Sequence, residues 1–178
     1  SILNAQKRLE DNGIPCLVRY KKFTSVGAAR NAAVSAAKAK WIIHLDADDE
    51  LLPWAIADVE KVAEGYDVVS LGAMRNGEAQ CFPGITAEKI LAREHGMFSC
   101  GAFRKAFWCK RKWHTHNAWV DSTFWVGLAH IGARFTGIDR VGFVYNQHAD
   151  SISHRLTPTE RKAAMRQWVN ACNLWTLT

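Results

Sequence analysis

Four acidic residues follow a short apolar segment of this chain. Residues 41–45 are mostly aromatic and β-branched, and Asp46, Asp48, Asp49 and Glu50 come directly after them. This pattern predicts a buried strand whose acidic end lies where open α/β sheets bind ligands. Asp46 and Asp48 are two positions apart, so in an extended backbone both side chains point to one side. Their repulsion is relieved by a cation between them, and Mg²⁺ or Mn²⁺ prefers oxygen ligands. We therefore predict a metal site that holds a substrate's phosphates, with helix capping by these acids as the alternative.

A second group of candidate residues is basic and aromatic. Five of the residues from 104 to 112 are Lys or Arg, and histidines and tryptophans follow closely. The cations favour an anionic partner such as a nucleotide, a phospholipid surface or a nucleic acid. Flat rings beside imidazoles suit sugars or bases, although most tryptophans pack in cores and a basic cluster is often only a solvated face. We predict that an acceptor substrate contacts Trp113, His114, His116, Trp119 and Trp125.

Helices and strands alternate in the first 71 residues, which indicates a largely parallel sheet with βαβ crossovers. The segment 97–118 receives no assignment. The predicted elements are helices at 1–12, 27–40, 53–63, 86–94, 119–131 and from 157 onward, and strands at 16–20, 41–46, 67–71 and within 134–148.

Composition and charge set limits on the whole chain. A length of 178 residues is most simply one domain, and no apolar run is long enough to span a bilayer. Five scattered cysteines without a C-x-x-C pair indicate free thiols in a reducing compartment and disfavour zinc. The net charge is +6 and the pI is about 9.2. We predict a cytoplasmic protein, and the basic cluster at 104–112 leaves the membrane surface open as its place of action.

Two motifs in fixed order carry a family resemblance. Residues 27–31 read G-A-A-R-N, and residues 42–53 read I-I-H-L-D-A-D-D-E-L-L-P. D-x-D alone is common, but this order and spacing closely resembles the nucleotide-sugar region of inverting family 2 glycosyltransferases. The resemblance implies a GT-A-like, mainly parallel sheet flanked by helices. It also implies sugar transfer from a nucleotide-diphosphate sugar to a hydroxyl of a glycan, lipid-linked or protein acceptor. By this resemblance Asp46 and Asp48 hold Mn²⁺ or Mg²⁺ on the diphosphate, and the donor lies near Gly27, Arg30 and Asn31.

The same resemblance implies roles for two later residues. In this family an acidic pair before an apolar helix supplies the acceptor base; here Val120 replaces the first acid and Asp121 remains. Trp125, one helical turn further, would partly desolvate Asp121 and raise its pKa, which suits a base. The alternative is a favourable charge at a helix N-terminus. Residues 145–153 resemble a Y-x-x-H-x-x-S-x-S motif, which implies that His148 is a third metal ligand or touches the diphosphate.

The chain departs from the family at its start. The usual strand, helix and second strand ending in D-D-G-S-x-D are missing, so we expect an N-terminally truncated domain whose sheet edge a second chain covers. Within residues 1–178 we predict a donor and metal half at 1–75, an acceptor half at 76–156 and a C-terminal helix at 157–178. One alternative is a non-catalytic remnant that binds a nucleotide, a glycan or, as the least favoured partner, a nucleic acid. Another is a haloacid-dehalogenase-type phosphatase, which Asp49-Glu50 after the second aspartate disfavours.

Overall fold

A computed structural model describes residues 22–92, 94, 97–114, 120–147, 157–159, 162, 163 and 166. The predicted helix 1–12 and strand 16–20 lie outside the described residues, as does most of the predicted C-terminal helix. The helices are α1 (Val26–Ala36), α2 (Ala55–Val62), α3 (Ala87–Leu91), α4 (Lys105–Lys110) and α5 (Val120–His130). The strands are β1 (Trp41–His44), β2 (Glu50–Leu51), β3 (Val68–Arg75), β4 (Glu78–Gln80), β5 (Gly101–Arg104) and β6 (Phe135–Tyr145).

The described strands form one sheet in the order β1-β5-β3-β6-β2, with β4 paired to β3. β3 and β6 are parallel, whereas β5 is antiparallel to both β1 and β3. β1, β3 and β6 therefore run in the same direction, and the predicted α/β class is confirmed. The sheet is mixed rather than mainly parallel because β5 inserts between β1 and β3. β5 comes from the segment 97–118, to which the sequence pattern assigns no element.

Helix α1 begins at a side-chain cap. The Ser25 hydroxyl accepts a hydrogen bond from the Ala28 backbone N–H at 3.2 Å, which satisfies one of the first unpaired donors of the helix. Gly27, Arg30 and Val34 are buried along one face, as the helical period requires. The helix ends at Ala36 rather than near residue 40, because the next residues lead into β1.

The core has two parts, one on each face of the sheet. Val68 of β3 and Phe103 of β5 belong to the larger part, which packs under α1, α3, α4 and α5. Their neighbours Val69 and Ala102 point to the other face and pack under α2. A Cβ added at Gly137 would lie 2.0 Å from the Phe82 carbonyl oxygen, so β6 passes this loop at a distance that only glycine permits. Among the described residues no helix is long and apolar enough to cross a membrane.

Candidate active site

One arginine joins the ends of three elements. Arg30 of α1 donates from Nη2 to Oδ1 of Asp46 at 2.7 Å and from Nη1 to Oδ1 of Asp121. Asp46 follows β1, and Asp121 lies in the first turn of α5. The Arg30 side chain is only 8% exposed, whereas the two carboxylates are 30% and 29% exposed. Three residues predicted as donor-binding, metal-binding and catalytic therefore form one cluster, with the carboxylates nearer to solvent.

Asn31 forms three hydrogen bonds next to this cluster. Its Nδ2 donates to the Trp113 carbonyl at 2.9 Å, and its Oδ1 accepts from the Trp113 N–H at 3.1 Å and from Trp108 Nε1 at 2.9 Å. The Trp113 ring lies with its centroid 6.0 Å from the guanidinium carbon of Arg30. The described hydrogen bonds of Asn31 thus fasten the segment after α4 against α1. Contact between Asn31 and a donor stays a prediction.

His44 is a site residue to which the sequence analysis assigns no role. Its Nε2 lies 3.2 Å from Oδ1 of Asp46, its Nδ1 lies 3.2 Å from the Ser99 carbonyl oxygen, and its side chain is 11% exposed. His44 and Arg30 therefore both contact Oδ1 of Asp46 and hold its carboxylate in place. The period of two in a strand places residues 44 and 46 on one face, so this neighbour was detectable from spacing alone.

The acidic loop is fastened to the end of β6. The Asp49 N–H donates to the Asp46 carbonyl at 3.1 Å, which closes a turn. Asn146 donates from its backbone to Oδ1 of Asp49 at 3.0 Å and from its side chain to the Asp48 carbonyl at 2.8 Å. These contacts use backbone and one carboxylate of the loop, while the Asp48 side chain is exposed. Asn146 lies within the predicted 145–153 motif, although that pattern does not reveal its partners.

The two carboxylates around Arg30 have opposite pKa shifts. Burial favours the neutral form of Asp46, but the hydrogen bond from His44 and the charge of Arg30 outweigh it and hold the pKa well below its ordinary value. Burial raises the pKa of Asp121, and the nearby Asp46 charge adds to this effect against Arg30. Asp46 stays ionised while Asp121 is the better proton acceptor, a division typical of acid–base sites.

The carboxylates of the acidic loop are the groups that could hold a divalent cation. Burial, together with the charges of Asp46 and Asp48, raises the pKa of Asp49 to about 6, and its buried Oδ2 has no hydrogen-bond donor within the described residues. No group of three or more His, Cys, Asp or Glu able to hold a metal is present in that part of the chain. Mg²⁺ is commonly bound by one or two carboxylates plus phosphates and water, so a small donor set is compatible with it. His148 lies outside the described residues, and its role as a ligand stays a prediction.

The predicted acceptor residues have different environments. Trp113 is 3% exposed and stacks on Phe124 at 4.0 Å, and Trp125 is 1% exposed and donates to the Phe98 carbonyl at 3.0 Å. Burial in an aromatic core favours a packing role for both rings over the predicted contact with an acceptor. His114 is half-buried, so for it that contact stays a prediction. His116 and Trp119 lie outside the described residues.

Two solved structures share this fold. The crystal structures of S. aureus TarS 1–349, alone and in complex with UDP, both superpose with a TM-score of 0.67, at 15% and 16% sequence identity respectively. Each match covers 95% of this chain, but only 51% and 52% of TarS 1–349, so the chain spans about half the length of these relatives. Identity at this level shows the fold alone, and it confirms the predicted GT-A-like architecture.

The family is shown by the sequence match. Residues 2–143 match Glycosyl transferase family 2, a range that includes α1, the acidic loop, α5 and most of β6. The chain therefore belongs to glycosyl transferase family 2, which confirms the predicted family and disfavours the phosphatase alternative. Among curated proteins, none matches this chain.

Proposed function

We propose that this domain transfers a sugar from a nucleotide-diphosphate sugar to an acceptor hydroxyl, with Asp121 as the general base. The observation that carries the proposal is the Arg30 bridge between Asp46 and Asp121. A donor whose diphosphate lies beside the acidic loop would have its sugar close to a carboxylate from a different element. Inverting transfer needs this arrangement, since the base must act near the bond that forms.

Asp121 suits the role of base by geometry and by charge. The hydrogen bond from Arg30 engages its Oδ1. Burial and the Asp46 charge raise its pKa, which increases its affinity for the proton of an attacking hydroxyl. Arg30 keeps the carboxylate oriented and offsets part of the negative charge near the diphosphate.

A divalent cation, Mn²⁺ or Mg²⁺, is part of the proposal. Asp48 is exposed at the tip of the acidic loop, and Asp46 is held ionised beside it. These two residues would hold the cation together with the diphosphate, and the cation would supply positive charge at the leaving group. The hydrogen bonds from Asn146 keep the loop closed, so this chain's own part is to present the carboxylates in a fixed arrangement.

Calorimetric titration of UDP and GDP, with Mn²⁺ and with a chelator, tests the proposed binding of nucleotide and metal. We expect nucleotide binding that requires Mn²⁺ and is lost in Asp48→Asn, a variant that leaves the Arg30 cluster intact. The exposed Asp139 provides the matched control, because Asp139→Asn removes the same charge from β6 away from the loop. Equal binding in chelator, or in Asp48→Asn, would contradict the metal site.

Turnover of nucleotide-diphosphate sugars by the full chain tests the proposed catalytic role of Asp121. We expect Asp121→Asn to lower turnover by about 10²–10⁴-fold, the usual contribution of a general base, with nucleotide affinity little changed. Asp139→Asn again serves as control. Nucleotide binding without turnover of any donor would favour the second candidate, a non-catalytic binding domain in which Val120 marks the loss of one acid. Normal turnover in Asp121→Asn would show that another group is the base.

A further inference from the structure

Two described segments of the chain contain no acidic residue. Residues 22–45 and residues 97–114 include nine Lys or Arg but neither Asp nor Glu. The antiparallel pairing of β1 with β5 brings these segments together, and the Lys105 N–H donates to the Lys40 carbonyl at 2.8 Å. Basic residues that are far apart in sequence are therefore brought close together where β1 and β5 pair.

The two helices of these segments have lysines at, or just beyond, their ends. Lys105 Nζ donates to the carbonyls of Ala37 at 2.6 Å and Ser35 at 3.3 Å, at the end of α1. Trp108, one turn further along α4, donates a hydrogen bond to Asn31 in the middle of α1. α4 therefore runs antiparallel to α1. The lysines that follow this pair of helices, here called the basic face, are Lys38, Lys40, Lys105, Lys110 and Lys112.

Most of the basic face is open to solvent and is not neutralised by carboxylates. Lys38, Lys40, Lys110 and Lys112 are exposed, and no ion pair joins the five lysines to an acid within the described residues. Arg104, in contrast, is already paired with Asp67 at 3.3 Å. The basic face is thus a set of point charges without counter-charges of its own.

Aromatic rings hold two of these lysines without presenting a stacking surface. The Nζ atoms of Lys110 and Lys112 lie 5.4 Å and 5.2 Å from the ring centroids of Phe107 and Trp108. Trp108 is only 5% exposed and Phe107 is half-buried. Single-stranded nucleic acids are bound through exposed rings on which bases stack, and the described basic face offers none. The surface therefore suits a broad anionic layer rather than a strand whose bases are read.

We propose that the basic face docks this domain on an anionic phospholipid bilayer. Lysine is a compact charge on a flexible stem, which fits a layer of mobile headgroups better than a planar bidentate target. Each lysine near such a surface contributes about a fivefold gain in partitioning. Trp113 directly follows Lys112, and its ring centroid lies 6.0 Å from the guanidinium carbon of Arg30, so docking would bring lipid headgroups close to the candidate active site. The docking does not require that the domain transfers sugars.

Vesicle sedimentation of the full chain tests the proposal without an activity assay. The probes are vesicles of phosphatidylcholine alone and of phosphatidylcholine with phosphatidylserine, at low and high salt. We expect binding only to the vesicles that contain phosphatidylserine, weakened by salt as for exposed charges. Lys110→Gln combined with Lys112→Gln should lower partitioning by about 25-fold, two lysines at fivefold each. Lys38→Gln combined with Lys40→Gln, which lie beyond the end of α1, should lower partitioning to the same extent.

A charge-matched control lies on α2 and β6. Lys61→Gln combined with Arg140→Gln removes the same two charges from exposed side chains that contact Asp58. We expect this double variant to sediment like the wild type. Equal losses in the control, or no binding to phosphatidylserine vesicles, would overturn the proposal. Single-stranded RNA that displaces the chain from vesicles, and whose binding the same lysine variants abolish, would identify nucleic acid as the partner instead.

Discussion

Replacing Arg30 by leucine tests whether this side chain stabilises the cluster as well as orienting it. Arg30 is 8% exposed and contacts both Asp46 and Asp121, whose side chains are 30% and 29% exposed. Breaking a buried ion pair by removing one partner costs about 3–5 kcal/mol. Because both carboxylates retain contact with water, we expect a loss near the lower end, about 3 kcal/mol at about pH 7.

The loss of stability in Arg30→Leu should depend on pH in a definite direction. In the wild type the pKa of Asp46 lies below its ordinary value of 3.8, so its contribution to stability is present above that pH and is lost in acid. Without Arg30, Asp46 keeps its hydrogen bond with His44, whereas Asp121 loses the guanidinium charge that opposes its raised pKa. We therefore expect the pKa of Asp121 to rise further, so that its ionisation opposes folding more strongly than in the wild type. The deficit of the Arg30→Leu variant should therefore shrink between about pH 7 and about pH 4.

Urea unfolding followed by tryptophan fluorescence measures both quantities. The control is Arg104→Leu, which removes a more exposed arginine while Asp67 keeps its contact with Arg134 at 3.0 Å. We expect this control to lose less than about 1 kcal/mol. A loss below about 1 kcal/mol in Arg30→Leu, or a deficit that grows in acid, would refute the view that Arg30 neutralises two carboxylates.

Three further substitutions test the surrounding structure by the same unfolding assay. Gly137→Ala should lower the free energy of unfolding by about 3 kcal/mol or more, because the new Cβ would lie 2.0 Å from the Phe82 carbonyl oxygen. An unchanged urea midpoint would contradict this packing. Asp49→Asn, measured with a chelator present, should raise the free energy of unfolding by roughly 1 kcal/mol at about pH 7. The reason is that the pKa of Asp49 is raised to about 6, so ionisation of this carboxyl group opposes folding. That gain should vanish at a pH below the ordinary pKa of 3.8, where the carboxyl group of the wild type is uncharged. The amide of the variant keeps the contact with Asn146, so no hydrogen bond is lost. Asn31→Ala should lose about 2–3 kcal/mol with its three hydrogen bonds, and a loss near zero would show that they are replaced by water.

The sequence predicts those parts of the site that depend on local periodicity. Arg30 at the start of a helix and Asp46 at the end of a strand are recognisable because their motifs have fixed spacing. The packing role of Trp113 is not recognisable from the sequence, since it depends on a ring stack with Phe124 from another element. The structural role of Asn31 likewise depends on partners that are distant in the chain.

The fold shows the same division. α1 and β3 follow helical and strand patterns and are predicted near their observed positions. β5 spans only Gly101–Arg104 and is buried on both faces, so it shows no alternation of polar and apolar residues. Its antiparallel insertion, and thus the mixed sheet, follows from long-range pairing that no local pattern contains.

The ladder between β1 and β5 also sets the order in which the domain is completed during synthesis. Within the described residues β1 pairs only with β5, so its partner leaves the ribosome after residue 104, and Asp121 follows later still. A nascent chain that already carries Arg30 and Asp46 therefore lacks both β5, the described partner of β1, and Asp121, the second carboxylate that contacts Arg30. Contacts between distant segments form slowly, and open strand edges attract other chains. Translation of the residues between β1 and β5 is thus the interval in which the edge of β1 that β5 later covers is open to other chains.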